Sequence, residues 1–218
     1  MSILDTMKAR HAVRSYLDKP IEEEKQRALA DLVTAANQES GLHLQCCFNE
    51  PKAFDTFMAH YGHFVGVKNY LALVGPKNAE EAIGYQGEKI VLAAQAMGLN
   101  SCWVALTYGK GKTPVQIAKG EKLHAVIALG YGATQGVPHP IKDPSVFSSL
   151  TGTKPIYWDD SVLAVSLAPT AMNQQKFMLT CTNGIPALKV RGSGFYTKID
   201  LGIVRYHFEA VSGVKLHE

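Results

Sequence analysis

The chain has 218 residues, 46% of them apolar and 19% charged, with a formal net charge of +3. That is enough to bury a core as one domain over residues 1–218, or as two intimately packed halves. The small spread charge does not suggest a nucleic-acid binder but is compatible with a local pocket for an anionic cofactor. No run reaches the length and apolarity of a membrane span, and MSILDTMKAR lacks a secretory core. Cys46, Cys47, Cys102 and Cys181 form no CxxC pair, so a reduced, cytoplasmic protein is expected.

In chain order, Ile3, Leu4 and Met7 mark a short amphipathic turn ahead of Arg10-His11-Ala12-Val13-Arg14. A helix follows, with Pro20 expected in its first turn and Glu22, Glu23 and Glu24 complementing its positive end. Ala28, Leu29, Leu32, Val33 and Ala36 continue it at helical spacing. Leu42–Phe48 and Tyr70–Val74 read as buried strands, and Glu80–Met97 as a long helix stopped at Gly98. Ser101–Leu106 and His124–Leu129 read as further strands. Pro138, Pro140 and Pro144 mark a crossover with no regular pattern. Ser161–Leu167 reads as a helix, Phe177–Thr182 and Ala187–Arg191 as strands, and Asp200–Val211 as a final helix.

Several motifs fail on spacing. Gly109-Lys110-Gly111-Lys112-Thr113 ends like a phosphate loop, but Leu106 stands where its first glycine belongs. Gly130-Tyr131-Gly132-Ala133-Thr134-Gln135-Gly136 is GxGxxxG, and the prolines after it forbid the helix a dinucleotide turn needs. Those glycines suit a tight exit from a strand. His60 and His63 lack a third ligand, so no metal site is assigned. Ser148, Ser149 and Ser166 lack a GxSxG elbow, which removes a hydrolase triad. His60, His63, Lys189 and Arg191 receive no role.

Two runs carry chemistry together. Arg10 and Arg14 are forked, permanently charged donors four residues apart, suited to phosphate. Ala168-Pro169-Thr170-Ala171-Met172-Asn173-Gln174-Gln175 is the second run. The pair resembles the nitroreductase family of FMN flavoproteins, whose members open with Arg-x-Ser-x-Arg/Lys and carry Ala-Pro-Ser-x-x-Asn-x-Gln along the isoalloxazine ring. The resemblance covers nearly the whole chain, including Asn100–Val104 and Ala128–Gly132. It is closest to the subgroup whose subunit looks like a degenerate tandem.

The resemblance implies an α+β sandwich, a mostly antiparallel sheet flanked by helices, with pseudo-repeated halves near 1–136 and 150–218. It implies that Arg10 pairs with the FMN phosphate, assisted by His11 and the Ala12 N–H, and that Arg14 reaches the ribityl chain or O2. Ala12 stands where the family has Ser, and Thr170 replaces Ser while keeping its hydroxyl. Pro169, Thr170, Ala171, Met172, Asn173 and Gln174 would line the ring, with the Asn173 amide matched to its pyrimidine edge. Ala105 and Leu106 align with the place where a backbone N–H meets flavin N5. Because each motif occurs once, one flavin per chain is expected, seated between the halves, in a monomer or incidental homodimer. The implied activity passes electrons from NADH or NADPH through FMN to a nitroaromatic, quinone or flavin, with no catalytic side chain. The alternatives are the family's flavin-cleaving or reductive dehalogenase branch, or a non-catalytic FMN-binding or storage protein.

Overall fold

Gln45–Cys47 (β1), Asn69–Pro76 (β2), Asn100–Val104 (β3) and Glu121–Gly130 (β4) form an antiparallel sheet in the order β1-β2-β4-β3. All of β2 except Pro76 is buried. A strand covered on both faces needs no polar alternation, which is why Tyr70–Val74 reads as one apolar run. One face carries Tyr70, Ala72, Val74, Cys102, Val104, Val126 and Ala128, packed with Phe54 and Phe64. The computed structural model describes residues 2–216, which divide into two compact units. This sheet belongs to the unit made of Ala9–Ala79 and Ile90–Pro138.

The other unit contains the residues up to Lys8, Glu80–Lys89, and the chain from His139 onward. It begins with the helix Ile3–Ala9 (α1), whose last residue belongs to the sheet unit. The sheet unit holds Glu23–Ser40 (α2) and Phe57–Tyr61 (α3), and Glu80–Ala96 (α4) contributes its first ten residues to one unit and the rest to the other. Pro144–Phe147 (α5), Ser148–Thr151 (β5), Trp158–Ser166 (α6), Phe177–Thr182 (β6), Ile185–Val190 (β7) and Thr197–Ser212 (α7) complete the second unit. Here β5 runs parallel to β6, and β6 pairs antiparallel with β7. Asn183-Gly184, both at positive φ, make the two-residue hairpin between them. The halves expected near 1–136 and 150–218 differ from these units, because residues up to Lys8 and Glu80–Lys89 group with the C-terminal segment.

Within that second unit α4 and α7 approach until no side chain fits between them. A Cβ on Gly84 would lie 2.0 Å from the Ile199 carbonyl oxygen, and one on Gly202 would lie 1.9 Å from that of Glu81. Side chains lock the contact along its length. His207 Nε2 lies 3.0 Å from Glu88 Oε1 with both side chains fully buried, and Arg205 Nε donates to Glu81 Oε1 at 2.7 Å. This crossing fixes where α7 begins.

Three local expectations need correction. Pro20 is not in the first turn of α2, which starts at Glu23 with Glu22 as its cap. Ile21, only 2% exposed, anchors the entry instead, and its carbonyl accepts from the Gln26 amide. The strand expected over Leu42–Phe48 shrinks to β1, whose three residues are the ones that pair with β2. The crossover after Gly136 is not wholly irregular: α5, capped by Asp143 through Ser145 N, runs straight into β5. No helix among the described residues is long and apolar enough to cross a membrane.

Candidate functional site

After α1 the chain extends, and its backbone is pinned on several sides. Val13 N donates to Ser101 O at 3.0 Å, Val65 N to Arg14 O at 2.9 Å, and Tyr16 N to Val65 O at 2.9 Å. Leu17 N donates to Tyr131 O and Ala133 N to Ser15 O, both at 2.8 Å. Val13 and Tyr16 are buried as anchors, while Ala12 and Arg14 face outward. Arg10 is 4% exposed. A buried guanidinium is rare, because an unsolvated cation is tolerated only where acceptors or anions meet it.

The glycine run after β4 closes over this segment. A Cβ on Gly136 would come 2.8 Å from His11 Cβ and 2.9 Å from Ala12 O, and Gly136 has φ of 71°. A Cβ on Gly132 would strike Thr134 O at 2.4 Å and Asn100 Oδ1 at 2.8 Å. The Asn100 amide ties the turn down, accepting from Gly132 N and donating to Gln135 Oε1, both at 3.0 Å. His11 Nδ1 lies 3.2 Å from Gln135 O. A carbonyl oxygen only accepts, so this contact places the ring proton on Nδ1.

Arg14 extends beside the Phe64 ring, its guanidinium carbon 5.9 Å from the centroid, and donates to no acceptor among the described residues. Burial pushes the Cys102 thiol above its ordinary value, while Arg14 and Arg10 both pull it down. Both cations thus act electrostatically on the same buried thiol. Beyond β3, Ala105 is half-buried and Leu106 is 69% exposed. A Cβ on Gly62 would lie 2.6 Å from Thr107 Cβ, so the residue that closes α3 lies against this turn; Phe57 and Tyr61 of that helix are exposed.

The second run lies in the other unit, between α6 and β6. Ala171–Asn173 form a single 3₁₀ turn, and Met172, Asn173 and Gln175 have φ of 51°, 52° and 45°. Non-glycine residues held there cost roughly 1–3 kcal/mol each and persist only where the surroundings over-determine them. Here they do. Gln175 N donates to Thr170 Oγ1 at 3.0 Å, and the Gln175 amide reaches Asn173 Oδ1 at 2.7 Å and Pro140 O at 2.9 Å. Asn173 Nδ2 also donates to Pro140 O at 2.8 Å. Half of the Asn173 amide is thus engaged by the loop, leaving one N–H and one carbonyl lone pair. Met172 is 82% exposed, and Pro169, Thr170, Ala171 and Gln174 are half-buried.

Sequence reasoning missed the group beneath this loop. Asp200, in the first turn of α7 and 4% exposed, accepts from Ala171 N at 2.9 Å and from Gln174 Nε2 at 2.7 Å. Burial pushes its carboxyl up to about 6, against the lowering effect of those two hydrogen bonds. An acid opening a helix reads as ordinary dipole complement, so no local signal betrays the role. Of the other residues singled out, His60 ends up exposed on α3 and His63 has φ of 60°. Lys189 lies on β7, and the Arg191 guanidinium donates to the Val146 carbonyl.

A family model described as "Putative TM nitroreductase" matches residues 2–212. Among solved structures, one described as a putative nitroreductase from Thermotoga maritima is 21% identical with a TM-score of 0.69, covering 97% of this chain and 84% of that one. A putative NADH dehydrogenase/NAD(P)H nitroreductase from Bacteroides thetaiotaomicron is 22% identical with a TM-score of 0.53, covering 66% and 95%. A putative nitroreductase in complex with FMN from Desulfovibrio desulfuricans is 17% identical with a TM-score of 0.52, covering 66% and 94%. These likenesses show the α+β fold. No curated protein matches.

Proposed function

The chain belongs to this nitroreductase family, and on that premise we propose that it is an FMN-dependent oxidoreductase taking electrons from NADH or NADPH. Its acceptor would be a small aromatic molecule such as a nitroaromatic, a quinone or a flavin. The observation that carries the reading is the pinned Arg10–Arg14 segment. It offers a buried guanidinium and, four residues on, a second whose fork donates to no acceptor among the described residues. Such a donor set fits a phosphate dianion, which takes bidentate charge-assisted hydrogen bonds. The fit extends to the packed backbone at His11 and Ala12, where Gly136 leaves no room for a side chain.

In this reading Arg10, His11 and the Ala12 N–H hold the phosphate, and Arg14 meets the ribityl chain or the pyrimidine end of the ring. The Pro169–Gln174 loop would lie along the ring, with Asn173 offering its remaining N–H and lone pair to the pyrimidine edge, and Ala105 and Leu106 would offer backbone near N5. When bound, FMN would supply the two-electron redox chemistry. The chain's own work is position and field, which fits a site with no nucleophile–base pair. The exposed Leu106 supports an acceptor with an apolar face. The FMN bound to the Desulfovibrio desulfuricans neighbour supports the same cofactor here. Each motif occurs once per chain, so the stoichiometry is one FMN per chain, in a monomer or incidental homodimer. Four unbridged cysteines fit a reducing, cytoplasmic setting.

The test is the absorbance of the purified protein in the flavin bands, followed by mass identification of the released cofactor. FMN at one per chain, bleached by NADH or NADPH and reoxidised by a quinone, is the expected result. FAD, a pterin or no chromophore after incubation with FMN would overturn the reading. FMN that no nicotinamide bleaches would make the protein a flavin-binding or storage protein instead.

A further inference from the structure

We propose that Asp200 is the positioning residue of the 169–175 loop, its two carboxylate oxygens clamping the turn on either side of Met172 and Asn173. The inference rests on the reading above, in which that turn lies along the flavin ring. Met172 and Asn173, the two consecutive left-handed residues, stand between Ala171 and Gln174, the two residues Asp200 holds. Oδ1 takes the backbone N–H on one side and Oδ2 the side-chain amide on the other. The carboxylate therefore fixes the span of the turn as well as its attachment to α7.

The donor pattern demands a carboxylate in particular. Both groups aimed at Asp200 are N–H donors, so residue 200 must present two acceptors. Asparagine has the same shape but only one. Turning the Gln174 amide over does not repair the mismatch, because Gln174 Nε2 also donates to Phe195 O at 2.9 Å. Gln175 and Thr170 hold the far end of the loop, Asn173 Nδ2 is tied to Pro140 O, and Gln174 is tied to Phe195 O and Lys142 Nζ; Asp200 is the group that takes both Ala171 and Gln174, one on each oxygen.

The carboxylate is also one whose burial disfavours its charged form. It is buried in the first turn of α7, and its raised pKa marks desolvation outweighing both hydrogen bonds. A buried acid that meets a strained turn with both oxygens serves the turn's shape. The α4–α7 crossing at Gly84 and Gly202 sets the position of α7, and with it the height at which Asp200 meets the loop.

The experiment compares wild type with Asp200→Asn by three measurements at neutral pH: thermal melting, amide hydrogen exchange at Ala171 in the flavin-free protein, and FMN titration by fluorescence quenching. The expected result is a Tm no lower than wild type, Ala171 exchange at least tenfold faster, and an FMN Kd at least tenfold weaker. A Tm that falls while Ala171 exchange and the Kd stay within twofold of wild type would assign Asp200 a merely structural role and overturn the proposal. Unchanged values throughout would overturn it too. Should Asp200→Asn fail to fold, Gln174→Leu removes the second half of the clamp. Ala171 exchange at least tenfold faster in that variant upholds the proposal, and wild-type exchange refutes it. Wild-type protein that takes up no FMN would defeat the flavin reading, while Ala171 exchange still decides whether Asp200 holds the turn.

Discussion

Replacing Gly202 with alanine should destabilise this protein, against the usual effect of that substitution in a helix interior. Alanine is worth about 1 kcal/mol over glycine there through backbone entropy, and Gly202 lies well inside α7. The added methyl would stand 1.9 Å from the Glu81 carbonyl oxygen and 2.8 Å from Tyr85 N. Both are backbone atoms of α4, so no side chain can swing aside. Ordinary contact begins near 3.4 Å, so the helices must part by roughly 1.5 Å at this point, where dispersion falls off steeply. Overpacking of this kind costs about 1–3 kcal/mol. Separation also stretches the Arg205–Glu81, His207–Glu88 and Tyr85–Glu209 hydrogen bonds, now at 2.7, 3.0 and 2.9 Å. Weakening them adds about 1–2 kcal/mol. Set against the helix gain, the net is a loss of about 1–4 kcal/mol. Urea unfolding followed by circular dichroism measures it, and Gly84→Ala should behave alike. A Gly202→Ala protein as stable as wild type would show that the two helices do not meet backbone to backbone.

Three further outcomes follow from other parts of the molecule. Arg10→Ala should weaken FMN binding by about 2–3 kcal/mol, more than Arg14→Ala does, since it removes a charge-assisted contact to phosphate; fluorescence titration showing wild-type affinity would sink the assignment. Asp200 has a folded-state pKa of about 6 against an ordinary 3.8, so its neutral form favours folding. That contribution is complete below pH 3.8 and lost as pH rises through 6. Relative to wild type, Asp200→Asn should therefore gain up to about 3 kcal/mol between pH 4 and 7, and stability curves that stay parallel across that window would contradict it. His207→Leu removes a fully buried partner of Glu88 and one hydrogen bond to Ala164 O; a loss of about 3–5 kcal/mol is expected in denaturant unfolding, and a loss under 1 would show the pair to be dispensable.

The sequence by itself determined what depends on near neighbours. Phe177–Thr182 is a strand because Phe177, Leu179 and Cys181 alternate inward, and Asn183-Gly184 turns it back. Glu80–Ala96 is a helix whose stop at Gly98 was legible from composition. The Arg10–Arg14 pair and the Ala168–Gln175 run were visible as patterns, and a match to the family over residues 2–212 bears out the resemblance they carried. Tertiary structure decided what depends on residues far apart in the chain. Gly84 and Gly202 are unremarkable helix glycines until α4 and α7 cross through them. Asp200 is an ordinary helix-opening acid until Ala171 and Gln174, 29 and 26 residues earlier, point their N–H groups at it. The GxGxxxG run, read as a tight exit from a strand, also closes over His11 and Ala12, more than a hundred residues before it. Periodicity, capping and turn chemistry act over a few residues and leave their mark in the local sequence. Close backbone approach and buried hydrogen bonding are satisfied across the fold, so each partner looks unexceptional until the chain has brought the two together.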